Sequence, residues 1–139
     1  MSLTRVLFVC LGNACRSQMA EGFARAQGED VLTPQSAGLT PASTVPLLTH
    51  ETMAERKIDI TGQRPKPVSD FSPSDFDIVI NMSGYPIPGY RRTTAWKVRD
   101  PFGGSVHDYR TVRDEIEGRV REMIFDLRRK QRFRGPRDL

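Results

Sequence analysis

The 139 residues predict an α/β fold, an open parallel sheet of four strands flanked by helices, and three observations carry that prediction. Short runs rich in Val, Ile and Phe alternate with longer amphipathic runs, the order that builds strand–helix–strand units. Turn signals separate the runs, most plainly Gly28 and the stretch Gln63-Arg64-Pro65-Lys66-Pro67. No internal repeat and no second block of composition breaks the chain, and its length suits one domain with its own core.

Taken in order, Val6-Leu7-Phe8-Val9 reads as a buried strand that ends at Cys10. A tight loop follows, in which Gly12 and Asn13 both tolerate left-handed backbone. From Gln18 to Ala26 the pattern is helical, with Met19, Phe23 and Ala26 on one apolar stripe and Gly28 as the stop. Residues 31–38 form a second strand, placed at an edge by Pro34. A helix over 45–57 offers Val45, Leu48, Met53 and Ala54 to the core and leaves His50 at the surface. The unit closes with residues 58–62, where Ile58 and Ile60 alternate with polar neighbours.

Residues 76–82 read as a central third strand, 83–90 as a loop and 94–98 as a fourth strand. The last of these delivers Arg99-Asp100-Pro101-Phe102 to the same end of the sheet as Cys10, the end where such sheets bind ligands. Tyr109, Val112, Ile116, Val120, Met123 and Leu127 then mark one face of a long amphipathic helix, begun at His107-Asp108.

Composition narrows the function classes. Apolar content of 37% and charged content of 27% suit a soluble globular chain. No 18-residue apolar run and no signal-peptide pattern occur, so a cytoplasmic location and no membrane role are expected. Six of the 21 basic residues and one of the 17 acidic ones fall in 128–139, leaving 15 against 16 in the rest. The net charge of +4 therefore belongs to a basic C-terminal tail, 128–139, appended to a domain over 1–127. Gly135-Pro136 is expected to break any helix there, and no aromatic–basic alternation suggests a nucleic-acid partner.

The chemistry concentrates in Cys10-Leu11-Gly12-Asn13-Ala14-Cys15-Arg16-Ser17. A thiol stands where a strand hands over to a helix N-terminus, below a loop of backbone N–H groups. Arg16 adds a planar fork that grips two oxygens of a tetrahedral oxyanion, and the same positive field favours thiolate. Cys10 is then a nucleophile beneath a bound phosphate, Leu11 to Ser17 supply donors, and Ser17 can hydrogen-bond the sulfur. A zinc site on Cys10 and Cys15 lacks further ligands, and a Walker loop lacks its Gly-Lys-Ser/Thr. Neither metal nor cofactor is needed.

Cys-x5-Arg-Ser after an apolar strand, within Phe-Val-Cys-Leu-Gly-Asn-x-Cys-Arg-Ser-x-Met-Ala-Glu at 8–21, resembles the low-molecular-weight protein-tyrosine-phosphatase family. That family includes a sister branch of thioredoxin-coupled arsenate reductases. The resemblance implies a four-stranded parallel sheet with helices on both faces and makes Asp100, in its Asp-Pro pair, the general acid. It also implies that Ser36 supports the loop through Asn13; Cys15 either traps oxidised Cys10 reversibly, as the family's paired loop cysteines suggest, or is only a small buried loop residue. Phe102 stands where many family phosphatases carry Tyr; it either lines a cleft for a phenyl ring or is a hinge residue that packs onto the sheet.

Two activities divide the family. Gln18 matches the reductases, where many phosphatases carry Pro, but the reductases' two further cysteines are missing: Met82 stands at the first place and 83–90 contain no Cys. The first expectation is a phosphomonoester hydrolase acting on aryl phosphates or a phosphotyrosine protein through a phosphocysteine. An arsenate reductase using an external thiol is the alternative, and a non-catalytic oxyanion or phosphoprotein binder is the third.

Overall fold

Five consecutive residues of β1 (Thr4–Cys10), from Val6 to Cys10, are buried, which fixes this strand inside the sheet with packing on both sides. The computed structural model describes residues 2–138, with side chains as far as Arg132. The order of elements is β1, α1 (Arg16–Gln27), β2 (Leu32–Gly38), α2 (Leu47–Ala54), β3 (Ile78–Asn81), β4 (Thr94–Ala95) and α3 (Val106–Asp138). The four strands lie in the order β2-β1-β3-β4, all parallel. Strand order reverses between β1 and β3, so the crevice for a ligand opens at their carboxyl ends. Cys10 is the last residue of β1, opposite Gly38 of β2.

The alternation of β1 divides the core. Val6, Phe8 and Cys10 face α1, α2 and α3, where Met19, Phe23, Met53, Ile116 and Val120 pack. Leu7 and Val9 face the other way, onto Ala37, Val79 and Ile87. The helical cover expected on both faces is unequal. All three α-helices share the first face, and two 3₁₀ turns, Val68–Asp70 and Pro73–Asp75, with flanking Phe71 and Phe76, serve the second.

Several boundaries differ from the sequence expectation. The fourth strand is only Thr94–Ala95, both exposed, because no further strand lies beyond it to pair with. The second helix spans Leu47–Ala54 rather than 45–57; it stops where Lys57 turns left-handed (φ 61°) and Ala54 faces solvent. Ala26 is likewise exposed, since α1 leaves the core in its last turn, whereas nine residues from Arg16 to Ala24 are buried. Gly28 caps that helix, its N–H bonded to Ala24 O at 2.9 Å.

α3 begins in a capping box: Ser105 N donates to Asp108 at 3.0 Å and Asp108 N to Ser105 Oγ at 3.2 Å. It continues unbroken across residue 127 and past Gly135-Pro136, because a proline in a final turn removes one backbone bond without unwinding the turns before it. Arg128, the first residue of the expected tail, holds Asp30 through two bonds of 2.8 Å and Gln27 O through one of 2.9 Å. No helix among the described residues is long and apolar enough to cross a membrane.

Candidate active site

The loop that joins β1 to α1 carries its left-handed residue at Asn13 (φ 50°), while Gly12 needs no positive φ. Asn13 is fully buried and tied on several sides. Its Oδ1 accepts the backbone N–H of Lys66 at 2.9 Å, and its Nδ2 donates to Ser17 Oγ at 2.7 Å. A backbone N–H can only donate, so the amide has one orientation, with its nitrogen towards Ser17. Ser17 Oγ then has its own proton left for Cys10 Sγ, 2.9 Å away. A hydroxyl proton aimed at sulfur stabilises the thiolate form and the departing thiolate alike. The start of α1 has no side-chain cap and no acidic residue in its first turn, so its N–H groups and positive dipole end stay free for an anion.

Arg16 is only 7% exposed and spans the switch point. Its Nη1 donates to Met82 O at 2.5 Å and to Val98 O at 3.2 Å, which pins the guanidinium between the exits of β3 and β4. Its buried Nε has no partner among the described residues. An orphaned, buried guanidinium N–H is costly unless something accepts it, and a bound oxyanion would. Nη2 lies 3.5 Å from Asp100 Oδ2, so the expected acid does reach the loop. The Asp100 side chain is 44% exposed, and its Oδ1 accepts the N–H of Phe102 at 3.0 Å. Phe102 is 65% exposed, stands outside both core clusters and is not among the residues that line the cleft beside Arg16. A cleft of ≈ 630 Å³ opens beside Arg16, walled by Met82, Tyr85, Trp96 and Val98.

The sequence profile described as "Low molecular weight phosphotyrosine protein phosphatase" matches residues 5–92, which include the whole loop. The chain belongs to this family. It is 37% identical to the glutaredoxin arsenate reductase of Synechocystis sp. over 128 residues, 88% of this chain and 97% of that one. Among solved structures, an arsenate reductase in the phosphate-binding state superposes with a TM-score of 0.83 at 36% identity, covering 90% of this chain and 99% of the other. The YwlE arginine phosphatase from Geobacillus stearothermophilus gives 0.81 at 25% identity, covering 92% and 95%. The fold and family expected from the sequence are therefore correct, and the chain is an enzyme of this family.

Around the family's loop, four features differ from expectation or were missed by it. Ser36 is buried, but its hydroxyl donates to Glu21 Oε1 and not to Asn13. The reason is the strand pleat: Ser36 pairs opposite Phe8, two residues short of the loop, and α1 brings the nearly buried Glu21 across it. Glu21 also receives Arg25 and lies 3.9 Å from Lys66 Nζ. Burial pulls the Lys66 ammonium below its ordinary pKa, partly opposed by Glu21. Cys15 has its Sγ 3.6 Å from Tyr109 Oη of α3, and burial pushes both groups up, so both hold their protons at neutral pH. Gln18, fully buried, donates to Asn13 O at 2.9 Å; its face of α1 continues through Glu21 and Arg25, so no apolar contrast marked it in the sequence.

Gly38 is the fourth. A Cβ there would meet Asn13 N at 2.8 Å, Gly12 C at 2.9 Å and Leu11 O at 2.9 Å. All three are backbone atoms of the loop, with no flexible side chain to give way, so Gly38→Ala must displace the loop itself and the N–H groups it carries. Displacements near 1 Å cost about 10²-fold in turnover. Gly38→Ala is expected to fall by that order in kcat/KM while circular dichroism stays that of the folded enzyme. Unchanged kinetics would show that the loop is seated elsewhere.

Proposed function

We propose that this enzyme is an arsenate reductase that takes its electrons from an external thiol. The observation that carries the oxyanion chemistry is the Cys10 thiol bonded to Ser17 in the same loop as a buried Arg16 whose Nε has no partner among the described residues. Support also comes from the similarity to arsenate reductases over nearly the whole chain. An external thiol is assigned because Met82 stands where the thioredoxin-coupled branch has its first relay cysteine, no Cys follows through residue 90, and Cys15, the one other cysteine, is buried with its thiol bonded to Tyr109.

In this reaction the Cys10 thiolate attacks arsenic, an S–As bond forms and hydroxide leaves, with the charge held by Arg16 and the loop N–H groups. An external thiolate then attacks Cys10 Sγ. The S–As electron pair passes to arsenic, which leaves as As(III), and Cys10 carries a mixed disulfide. A second thiol displaces it, so two thiols are oxidised for each arsenate reduced.

A second reading, hydrolysis of aryl phosphates or phosphotyrosine, is favoured by one observation: the Asp100 carboxyl beside Arg16, next to an exposed aromatic residue at Phe102. Parallel assays separate the two. Arsenite formation is measured with glutathione, with glutathione plus glutaredoxin, and with thioredoxin as sole reductant, alongside hydrolysis of nitrophenyl phosphate. The expected result is arsenite formation that rises with the small thiol and is slight with thioredoxin alone. Ester hydrolysis with no arsenite from any donor would put the second reading first.

If ester hydrolysis is present, Asp100→Asn should slow unactivated aryl and alkyl phosphates by about 10²–10⁴-fold, the usual worth of a general acid. A nitrophenyl ester, whose phenolate leaves without a proton, should be affected far less. A uniform loss across leaving groups would remove Asp100 from proton transfer.

A further inference from the structure

Asn13 is held from the segment 63–66 by two separate routes. The first is direct, from Lys66 N to Asn13 Oδ1 at 2.9 Å. The second runs through side chains: Gln63 Nε2 donates to Gln18 Oε1 at 2.8 Å, and Gln18 Nε2 donates to Asn13 O at 2.9 Å. Its polarity is settled by the last acceptor. A carbonyl oxygen can only accept, so Gln18 turns its nitrogen to Asn13 and its oxygen to Gln63, which must then donate. Gln63 is itself anchored, since its N–H bonds to the carbonyl of the buried Ile60 at 2.9 Å and its Nε2 also reaches Gln18 O at 3.0 Å.

We propose that Gln18 and Gln63 are positioning residues for the nucleophile: their chain of donors holds Asn13 in its left-handed conformation and so keeps the Ser17 proton directed at Cys10. The inference rests on reading residues 11–17 as the oxyanion seat. A non-glycine residue leaves the left-handed region readily when its restraints go, because its Cβ crowds the backbone there. Loss of the clamp lets the peptide planes on either side of Asn13 rotate. That rotation takes N–H groups out of the hollow and breaks the Asn13–Ser17–Cys10 sequence at its first link, which frees the Ser17 hydroxyl to turn from the sulfur. The route acts through Asn13 alone, since neither glutamine side chain touches Cys10 or Arg16 among the contacts described.

The test uses Gln18→Met and Gln63→Met, which keep length and lose the hydrogen bonds, with Ile124→Val in α3 as a core control remote from the loop. Three quantities are read: the affinity for inorganic phosphate by titration calorimetry, the rate of Cys10 alkylation by iodoacetamide at fixed pH, and the thermal midpoint. Gln18→Met is expected to weaken phosphate about tenfold, the scale of one hydrogen bond, and to slow alkylation of Cys10 in parallel. Gln63→Met, at a partly exposed site where folding is secure, should move both in the same direction by about threefold. Ile124→Val should lower the thermal midpoint and move neither. If the glutamine variants lower only the thermal midpoint, as the control does, they are structural and the proposal is wrong. If the wild-type enzyme binds no phosphate and phosphate fails to protect Cys10, the oxyanion seat itself is lost, and the proposal with it.

Discussion

Cys10→Ser is expected to lose turnover on the order of 10⁶-fold while still binding phosphate, since removal of a covalent nucleophile costs about that much. The hydroxyl fits the same space 2.9 Å from Ser17, so the loop and its donors stay in place. What disappears is the nucleophile, because at neutral pH a serine hydroxyl is a far weaker attacker than a thiolate and no general base stands beside it among its hydrogen-bond partners. The expectation holds for arsenate and for phosphate esters alike, since both begin with attack by sulfur. It is checked by single-turnover kinetics and by phosphate titration of the same preparation. Appreciable turnover by Cys10→Ser would overturn the covalent mechanism.

Arg16→Lys should be nearly as damaging, in a different way. Lysine keeps the charge but offers a point where the oxyanion needs a fork, and loss of one such donor costs about 10²–10³-fold. The substitution has a second cost, because Nη1 now satisfies the carbonyls of Met82 and Val98, both in buried residues. A buried carbonyl left without a donor costs about 1–3 kcal/mol. Turnover and stability should therefore fall together, unlike in Cys10→Ser, where stability should hold. Urea titration beside the kinetics separates the two. An Arg16→Lys enzyme with full stability and most of its activity would show that neither the oxyanion nor the two carbonyls depend on the guanidinium.

The geometry of the candidate loop was legible in the sequence because it is local. Strand end, Asn13, Arg16 and Ser17 fall within eight residues, and the chemistry of each constrains the others without knowledge of the rest of the chain. Asp100 was legible only through the family pattern, and the structure adds its 3.5 Å approach to Arg16. The partners of the loop were not legible. Glu21 with Ser36, and Gln18 with Gln63, join segments 15 and 45 residues apart, and a polar pair across such a distance leaves no periodicity to read. The misplaced apolar residues have a similar cause. Ala26 and Ala54 fit a stripe by spacing, but a methyl group is too small to declare which way it faces, and both lie in the last turn of a helix leaving the core. The order of the two activities was likewise beyond the motif, since arsenate and phosphate are held by the same donors.

The short β4 has a consequence for how this protein can associate. An outer strand normally offers a free ladder on which another chain can build by backbone alone. Here one margin of the sheet is only two residues long, and the other, β2, contains Pro34 and is bridged at its far end, Gly38 to Pro67. Neither margin gives a second polypeptide enough rungs to extend the sheet. A protein partner, a thiol-bearing one included, is then met by loops and side chains rather than by an added strand, and the sheet is guarded against adding to itself.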